Sequence, residues 1–219
     1  MNRACKLTGF FLGHDKEYVG IMRIHEDVSL DKIKKAIKEK FTGVIKQTPP
    51  VKSRVKRQER EREIKNFDLL EKQEKDIIFK TTVQGGTYIR KLIDDLGKEL
   101  GIGAHMLELR RTRAGIFKEE KSFTLYQLEE AIKENKLQNL ITPAEEAIKK
   151  VFPVVEIKKE PVDRILHGQP IYDKDLVKKP KLNKDILIAV FSGEQFVGIF
   201  KVINAVKIFA KSEFTLQKI

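Results

Sequence analysis

Tryptophan is absent from the 219 residues, and cysteine occurs once, as Cys5. A single cysteine excludes an intramolecular disulfide and fits a reducing compartment. The longest apolar run, Ile186 to Phe191, is far too short to span a bilayer. No pattern of basic start, apolar run and small-residue site follows Met1. No membrane association is expected, and a cytoplasmic location is the default. His14, His25, His105 and His167 are isolated in the sequence, and Cys5 has no partner at ligand spacing, so no metal site is expected. There is no Gly-x-x-x-x-Gly-Lys phosphate loop, no Gly-x-Gly-x-x-Gly after a strand and no serine-hydrolase elbow. No cofactor is implied. Solenoid repeats and low-complexity segments are missing as well.

What is present is positive charge over a substantial apolar fraction. The formal net charge is +12 and the pI is near 9.6. That balance points to a polyanionic partner, most simply nucleic acid. A hydrophobic content of 41% supports a true core.

One stretch, Val83 to Phe117, organises the chain. Ile77, Ile78, Phe79 and Val83 read as a strand. Gly85-Gly86 stops it, since paired glycines allow a sharp turn and close backbone approach. Thr87 is placed to cap a helix that carries Ile89, Leu92, Ile93, Leu96 and Leu100 at helical spacing, with Gly101 as its terminator. Arg90 then falls in the first helical turn, where the helix N-terminus already favours anions. A guanidinium there can grip a carboxylate or phosphate with two parallel hydrogen bonds. The plainer use of the same residue is a surface arginine packing its stem.

In chain order, Met1 to Leu12 reads as the tail of a helix and Tyr18 to Ile24 as a strand. Ser29 caps a helix bearing Leu30, Ile33, Ala36, Ile37 and Phe41, ended by Gly43. Thr48-Pro49-Pro50 forces an extended segment. From Lys46 to Lys65, eight basic residues stand against three acids, a local net of +5. This stretch, with Lys52, Arg54, Lys56, Arg57, Arg60 and Arg62, is expected to be a phosphate-contacting loop. Strands follow at Asn66–Leu70 and Asp76–Val83, with a polar turn between them. Arg110, Arg111 and Arg113 form a second dense basic element, flanked by Leu107, Leu109 and Ile116. Thr124 caps a helix over Leu125–Ile132, and Pro143 opens another with Ala147 and Ile148 inward. Phe152-Pro153 is the expected boundary between domains 1–153 and 154–219. Beyond it lie a brief helix from Pro161 to His167 and a hairpin of Ile186–Phe191 with Phe196–Ile203. A further strand is expected at Val206–Phe209. Together these make a small β-rich module of about 65 residues.

Several ordered motifs carry a resemblance. They are Gly86-Thr87-Tyr88-Ile89-Arg90 with Leu92-Ile93-Asp94-Asp95-Leu96-Gly97, then Gly103-Ala104-His105 and Leu109-Arg110-Arg111. Lys16-Glu17-Tyr18-Val19 and Pro49-Pro50-x-x-Ser53-x-x-Lys56 precede them in matching order. This set resembles the TruB-type pseudouridine synthases. Glu108 to Arg113 and Tyr18 to His25 are closest to the archaeal and eukaryotic, dyskerin-like branch. The last module resembles a PUA domain, opening with Arg164-Ile165-Leu166-His167-Gly168. The resemblance implies an α+β fold: a catalytic domain with a mixed, mainly antiparallel sheet and flanking helices, plus a small β-rich PUA-like domain.

It also implies an RNA uridine-to-pseudouridine isomerase that needs no cofactor. The target base is flipped out. Tyr18 would stack on it and serve in proton removal from C5; a tyrosine offers both a flat face and a titratable hydroxyl. Arg90 would pair with the nucleophilic aspartate, and Leu109 would wall the pocket. The 52–65 loop, the 110–113 run and the Arg164–His167 opening would hold RNA, although Arg54 stands where the family usually has alanine. The implied partners are substrate rRNA or tRNA, an H/ACA guide RNA and the small accessory proteins of a guide-RNA particle.

The family's nucleophile lies in a Gly-x-Leu-Asp-Pro-like loop, and none of the eleven aspartates of this chain stands in such a motif. Asp15, near Tyr18, is the only tempting substitute. The expectation is a synthase that begins just after its nucleophile and is completed by an upstream Asp-bearing fragment. A truncated gene model, half of a split enzyme, and a non-catalytic RNA-binding or assembly relative all fit that pattern.

Overall fold

A computed structural model describes Cys5 and residues 7–51 and 53–216. Most of the expected helical tail before Thr8, and Lys52, lie outside the described residues. The chain separates into two compact units, one ending at Ser122 and the other starting at Phe123. The fold is α+β.

The first unit runs α1 (Thr8–Leu12), β1 (Lys16–Ile24), α2 (Leu30–Lys40), β2 (Gly43–Gln47), β3 (Arg60–Gln73), β4 (Asp76–Val83), α3 (Ile89–Leu100), β5 (Ala104–Ala114) and β6 (Phe117–Lys118). Its six-stranded sheet has the order β2-β3-β4-β1-β5-β6, antiparallel throughout. Alternation along β1 and β4 sends Met22, Ile24, Ile77 and Phe79 to one face. There they meet Ile33 and Ile37 of α2 and Ile89, Leu92, Ile93 and Leu96 of α3. Ser29 caps α2 as expected, its side chain accepting from Lys32 N. α3 ends at Gly101, which adopts a left-handed φ of 73°.

Three expectations shift. The helix start moves one residue, to Tyr88, which offers no side-chain cap; the Thr87 hydroxyl instead donates to the Gln84 carbonyl at 2.8 Å. The basic 46–65 stretch is not all loop. Its ends pair as strands, Gln47 opposite Arg60 and Gly43 opposite Ile64, leaving 48–59 as the connection. β3 therefore runs 14 residues rather than five, because ladders with β2 and β4 on both sides outweigh its charged composition.

The second unit holds α4 (Leu125–Lys133), α5 (Ala144–Val151), β7 (Val154–Glu156), α6 (Val162–Leu166), β8 (Ile171–Tyr172), β9 (Leu187–Ser192), β10 (Gln195–Ala205) and β11 (Ile208–Thr215). Its sheet order is β7-β9-β10-β11-β8. Val155, Ile165, Ile188, Val190, Phe200 and Phe209 form the core. Thr124 and Gln127 close a capping box on α4. Pro143 takes the N-cap of α5 rather than its first helical position. The expected boundary at Pro153 falls inside this unit. β7 pairs in parallel with β9 directly after it, and Lys149 of α5 lies 4.8 Å over the Phe191 ring of β9. No helix among the described residues is long and apolar enough to cross a membrane.

Candidate active site

The first unit contains a cleft of about 700 Å³ that brings together Tyr18, Arg90 and Leu109. Tyr18 comes from β1, the strand flanked by β4 and β5, and rests partly on the core. Leu109 comes from β5, where it pairs with Gly20 and so shares the Tyr18 face. Arg90 is the second residue of α3. Pro50 and Ser53 of the 48–59 loop and Asp94 of α3 also line the cleft.

Arg90 is exposed, and its side chain makes no hydrogen bond or ion pair among the described residues. The helix starts at the cleft rim, so the second residue projects into open space. Its guanidinium is thus available to an anion arriving from outside. Asp94 is the carboxylate on the cleft wall, but Lys98 donates to it at 2.6 Å and Lys91 lies 3.8 Å away. Asp15 does not line the cleft. It pairs with Lys65 at 2.5 Å, and its carbonyl accepts from Gly115 N.

The turn before α3 is held tightly. A Cβ at Gly85 would lie 2.2 Å from the Leu12 carbonyl oxygen, and Gly86 has a φ of 88°. The Lys16 ammonium donates to the carbonyls of Leu12 and His14 at 2.8 and 3.0 Å. Burial pulls its pKa below the usual lysine value, with Arg111 adding to the effect and Asp15 opposing it. The chain entering β1 is thereby folded back on itself, close against Gly85.

The expected RNA-contacting residues sort into different environments. Arg54, Lys56, Arg57 and Arg60 are exposed; Arg62 is half-buried, its guanidinium packed against Gly86. The 110–113 run is not one patch. Arg111 pairs with Tyr18 and shares its face, whereas Arg110 pairs with Val19, faces the other side and holds Glu119 at 2.6 Å. Arg113 donates to the Gly115 carbonyl at 3.2 Å. Arg164 is already engaged. It pairs with Asp175, which is 4% exposed, donates to the Pro170 carbonyl at 3.0 Å and covers the Tyr172 ring. His167 is exposed, with Nδ1 2.8 Å from the Asp163 carbonyl oxygen. The histidines are not all isolated, because the β1–β5 register brings His25 Nε2 to 2.8 Å from His105 Nδ1.

One residue of the site was missed from the sequence. Gln47 is 3% exposed, and its side-chain amide bonds both backbone groups of Tyr88. Period-two alternation from Ile45, which packs on the core, was the available signal.

Residues 90–149 match the family described as the tRNA pseudouridylate synthase B C-terminal domain. The chain is 40% identical over 200 residues to a probable tRNA pseudouridine synthase B of Archaeoglobus fulgidus, covering 88% of this chain and 61% of that protein. It is 38% identical to the same-named protein of Methanopyrus kandleri, with 88% and 59% covered. Among solved structures, a chain of a Cbf5-Nop10-Gar1 complex superposes with a TM-score of 0.81 at 35% identity, covering 96% of this chain and 69% of that one. The chain belongs to the TruB-type pseudouridine synthase family. Its likeness is to the dyskerin-like branch. An H/ACA ribonucleoprotein bound to a substrate RNA containing 2′-deoxyuridine matches with a TM-score of 0.80 at 32% identity, covering 97% and 69%. This TruB-type chain spans about three fifths of the length of the curated relatives it matches.

Proposed function

We propose that this chain supplies the base-holding and RNA-holding part of an RNA pseudouridine synthase. It would act in the cytoplasm on rRNA or tRNA, within a guide-RNA particle. The observation that carries the reading is the meeting of Tyr18, Arg90 and Leu109, distant in sequence, in one cleft. Tyr18 stacks on a flipped uracil and Leu109 closes the pocket. A carboxylate attacks C1′ of the ribose as the N1 glycosidic bond breaks; C5 of the turned base then displaces the carboxylate and forms the new bond to C1′. Tyr18 takes the C5 proton, and N1 regains one. Arg90 holds that carboxylate with its two-pronged guanidinium. The carboxylate comes from residues beyond the 219, since no aspartate here stands in the family's motif. The second unit, with its PUA-like pattern, holds guide or substrate RNA. Accessory proteins comparable to those in the matching complexes complete the particle.

Tritium release from RNA labelled at uridine C5 tests this. Acid–base help from Tyr18, worth roughly 10²–10⁴-fold, does not replace the covalent step. The 219 residues alone should bind RNA and release no tritium above background. Adding a polypeptide that carries the Gly-x-Leu-Asp-Pro-like loop, fused or in trans, should restore turnover. Arg90→Ala should then abolish it, and Arg90→Lys should recover little, since an ammonium lacks the fork. Strong release by the unsupplemented chain would overturn the division of labour. Silence after supplementation, with RNA binding intact, would leave a non-catalytic RNA-binding protein.

A further inference from the structure

Gln47 closes β2 and opens the connection that carries the basic residues. A buried primary amide is costly unless its donors and acceptor are matched. Here Nε2 donates to the Tyr88 carbonyl at 3.1 Å, and the Tyr88 N–H donates to Oε1 at 2.8 Å. The side chain reproduces the reciprocal pairing of two strands with a single residue. Tyr88 has no side-chain cap of its own, and its carbonyl also accepts from Leu92 N at 3.0 Å, so its backbone is held from the helix and from Gln47 together. Arg90 follows two residues later.

A second tie runs from the same tyrosine. The Tyr88 hydroxyl donates to Ser53 Oγ at 3.4 Å. Ser53 is itself fixed in the loop. Its N–H donates to the Pro50 carbonyl at 2.9 Å, and its hydroxyl accepts from Val55 N at 3.2 Å. Pro49, between the two ties, is buried. Tyr88 thus grips the loop at its root and at its first turn, while both Pro50 and Ser53 face the cleft beside Arg90.

We propose that Gln47 is a positioning residue that, through Tyr88, couples the 48–59 loop to Arg90. RNA held by the loop then sets the guanidinium in place. The inference rests on the functional reading above, which makes RNA the ligand of the loop.

Amide hydrogen exchange on the full chain, with and without a uridine-containing RNA stem-loop, tests the coupling. RNA should slow exchange across Tyr88–Lys91 in the unaltered chain. In Gln47→Ala the Tyr88 amide should exchange about tenfold faster without RNA. The RNA-dependent slowing should vanish while the Kd stays within about twofold, because a buried residue contacts no RNA. Tyr88→Phe removes only the hydroxyl tie. It should keep the protection seen without RNA and lose part of the RNA-dependent increment, which covers the case of an unfolded Gln47→Ala. In the supplemented enzyme both variants should lower kcat per folded molecule, the folded fraction being measured by circular dichroism, and leave KM within about twofold, whereas general destabilisation lowers only the folded fraction. RNA binding with equal protection in all three proteins sinks the coupling alone. Absence of RNA binding by the unaltered chain sinks the functional reading and the coupling with it.

Discussion

Glu17 immediately precedes Tyr18, and strand alternation turns its carboxylate to the opposite face. It accepts from the Thr112 hydroxyl at 2.8 Å and pairs with Lys80 at 3.2 Å. The Thr112 hydrogen bond, with help from Lys80 and Arg113 against the effect of burial, holds its pKa below the usual carboxylate value. A folded pKa below the unfolded one means stability that is present above the unfolded value, about 4.3, and lost as pH falls through the folded one. Glu17→Gln should therefore flatten the acid limb of a stability profile measured by urea unfolding. Identical acid limbs for the two proteins would remove Glu17 from the account. At this scale the sequence brought Tyr18, Arg90 and Leu109 forward through separate motifs, and the three side chains line one cleft. Arg90's exposure agrees with its place outside the apolar stripe of α3, as a surface arginine would have it. The sequence did not show that Arg164 spends its guanidinium on Asp175, a pairing made only when α6 meets the turn after β8.

The hairpin of β2 and β3 shows how charge hides a strand. Arg60-Glu61-Arg62-Glu63 has none of the apolar alternation that marks β4, so only pairing with β2 reveals it. The helices were far more legible, since α2, α3 and α4 each combine a stop or cap signal with an apolar stripe. Between the two strands, 48–59 presents Arg54 and Arg57 to solvent, with Arg60 at its far edge. Replacing these three with alanine should weaken RNA binding, most strongly at low salt. It should also reduce the slope of log affinity against log salt by about one for every phosphate that the loop no longer neutralises. An unchanged slope in filter binding would mean that the RNA passes elsewhere.

Across the whole molecule the informative division is at Ser122, where the sequence carries little punctuation. Pro153 is a conspicuous signal yet lies beside a strand of the second unit's sheet. Proline marks a local stop; which elements bury one another is decided by packing that it does not encode. Ala147 and Ile148 are 5% and 0% exposed within the second unit. A fragment of residues 123–219 should therefore unfold cooperatively at a higher urea concentration than one of residues 154–219, which lacks α5. Equal midpoints would show that α5 adds nothing and would return the boundary to Pro153.

The approach of the Leu12 carbonyl to Gly85 has a consequence for tolerance to sequence change. At Gly13, a β-carbon would find no atom within 4 Å and φ is negative, so side chains of many sizes should be admitted. At Gly43 the space is equally open but φ is 84°, so asparagine and aspartate should be favoured over β-branched residues. At Gly85 the obstacle is backbone oxygen at 2.2 Å, and the very first carbon meets it. The penalty there does not scale with side-chain size, and alanine should fare as badly as phenylalanine. A saturation library sorted for folded protein should return a broad spectrum at position 13, a narrow one at 43 and glycine alone at 85.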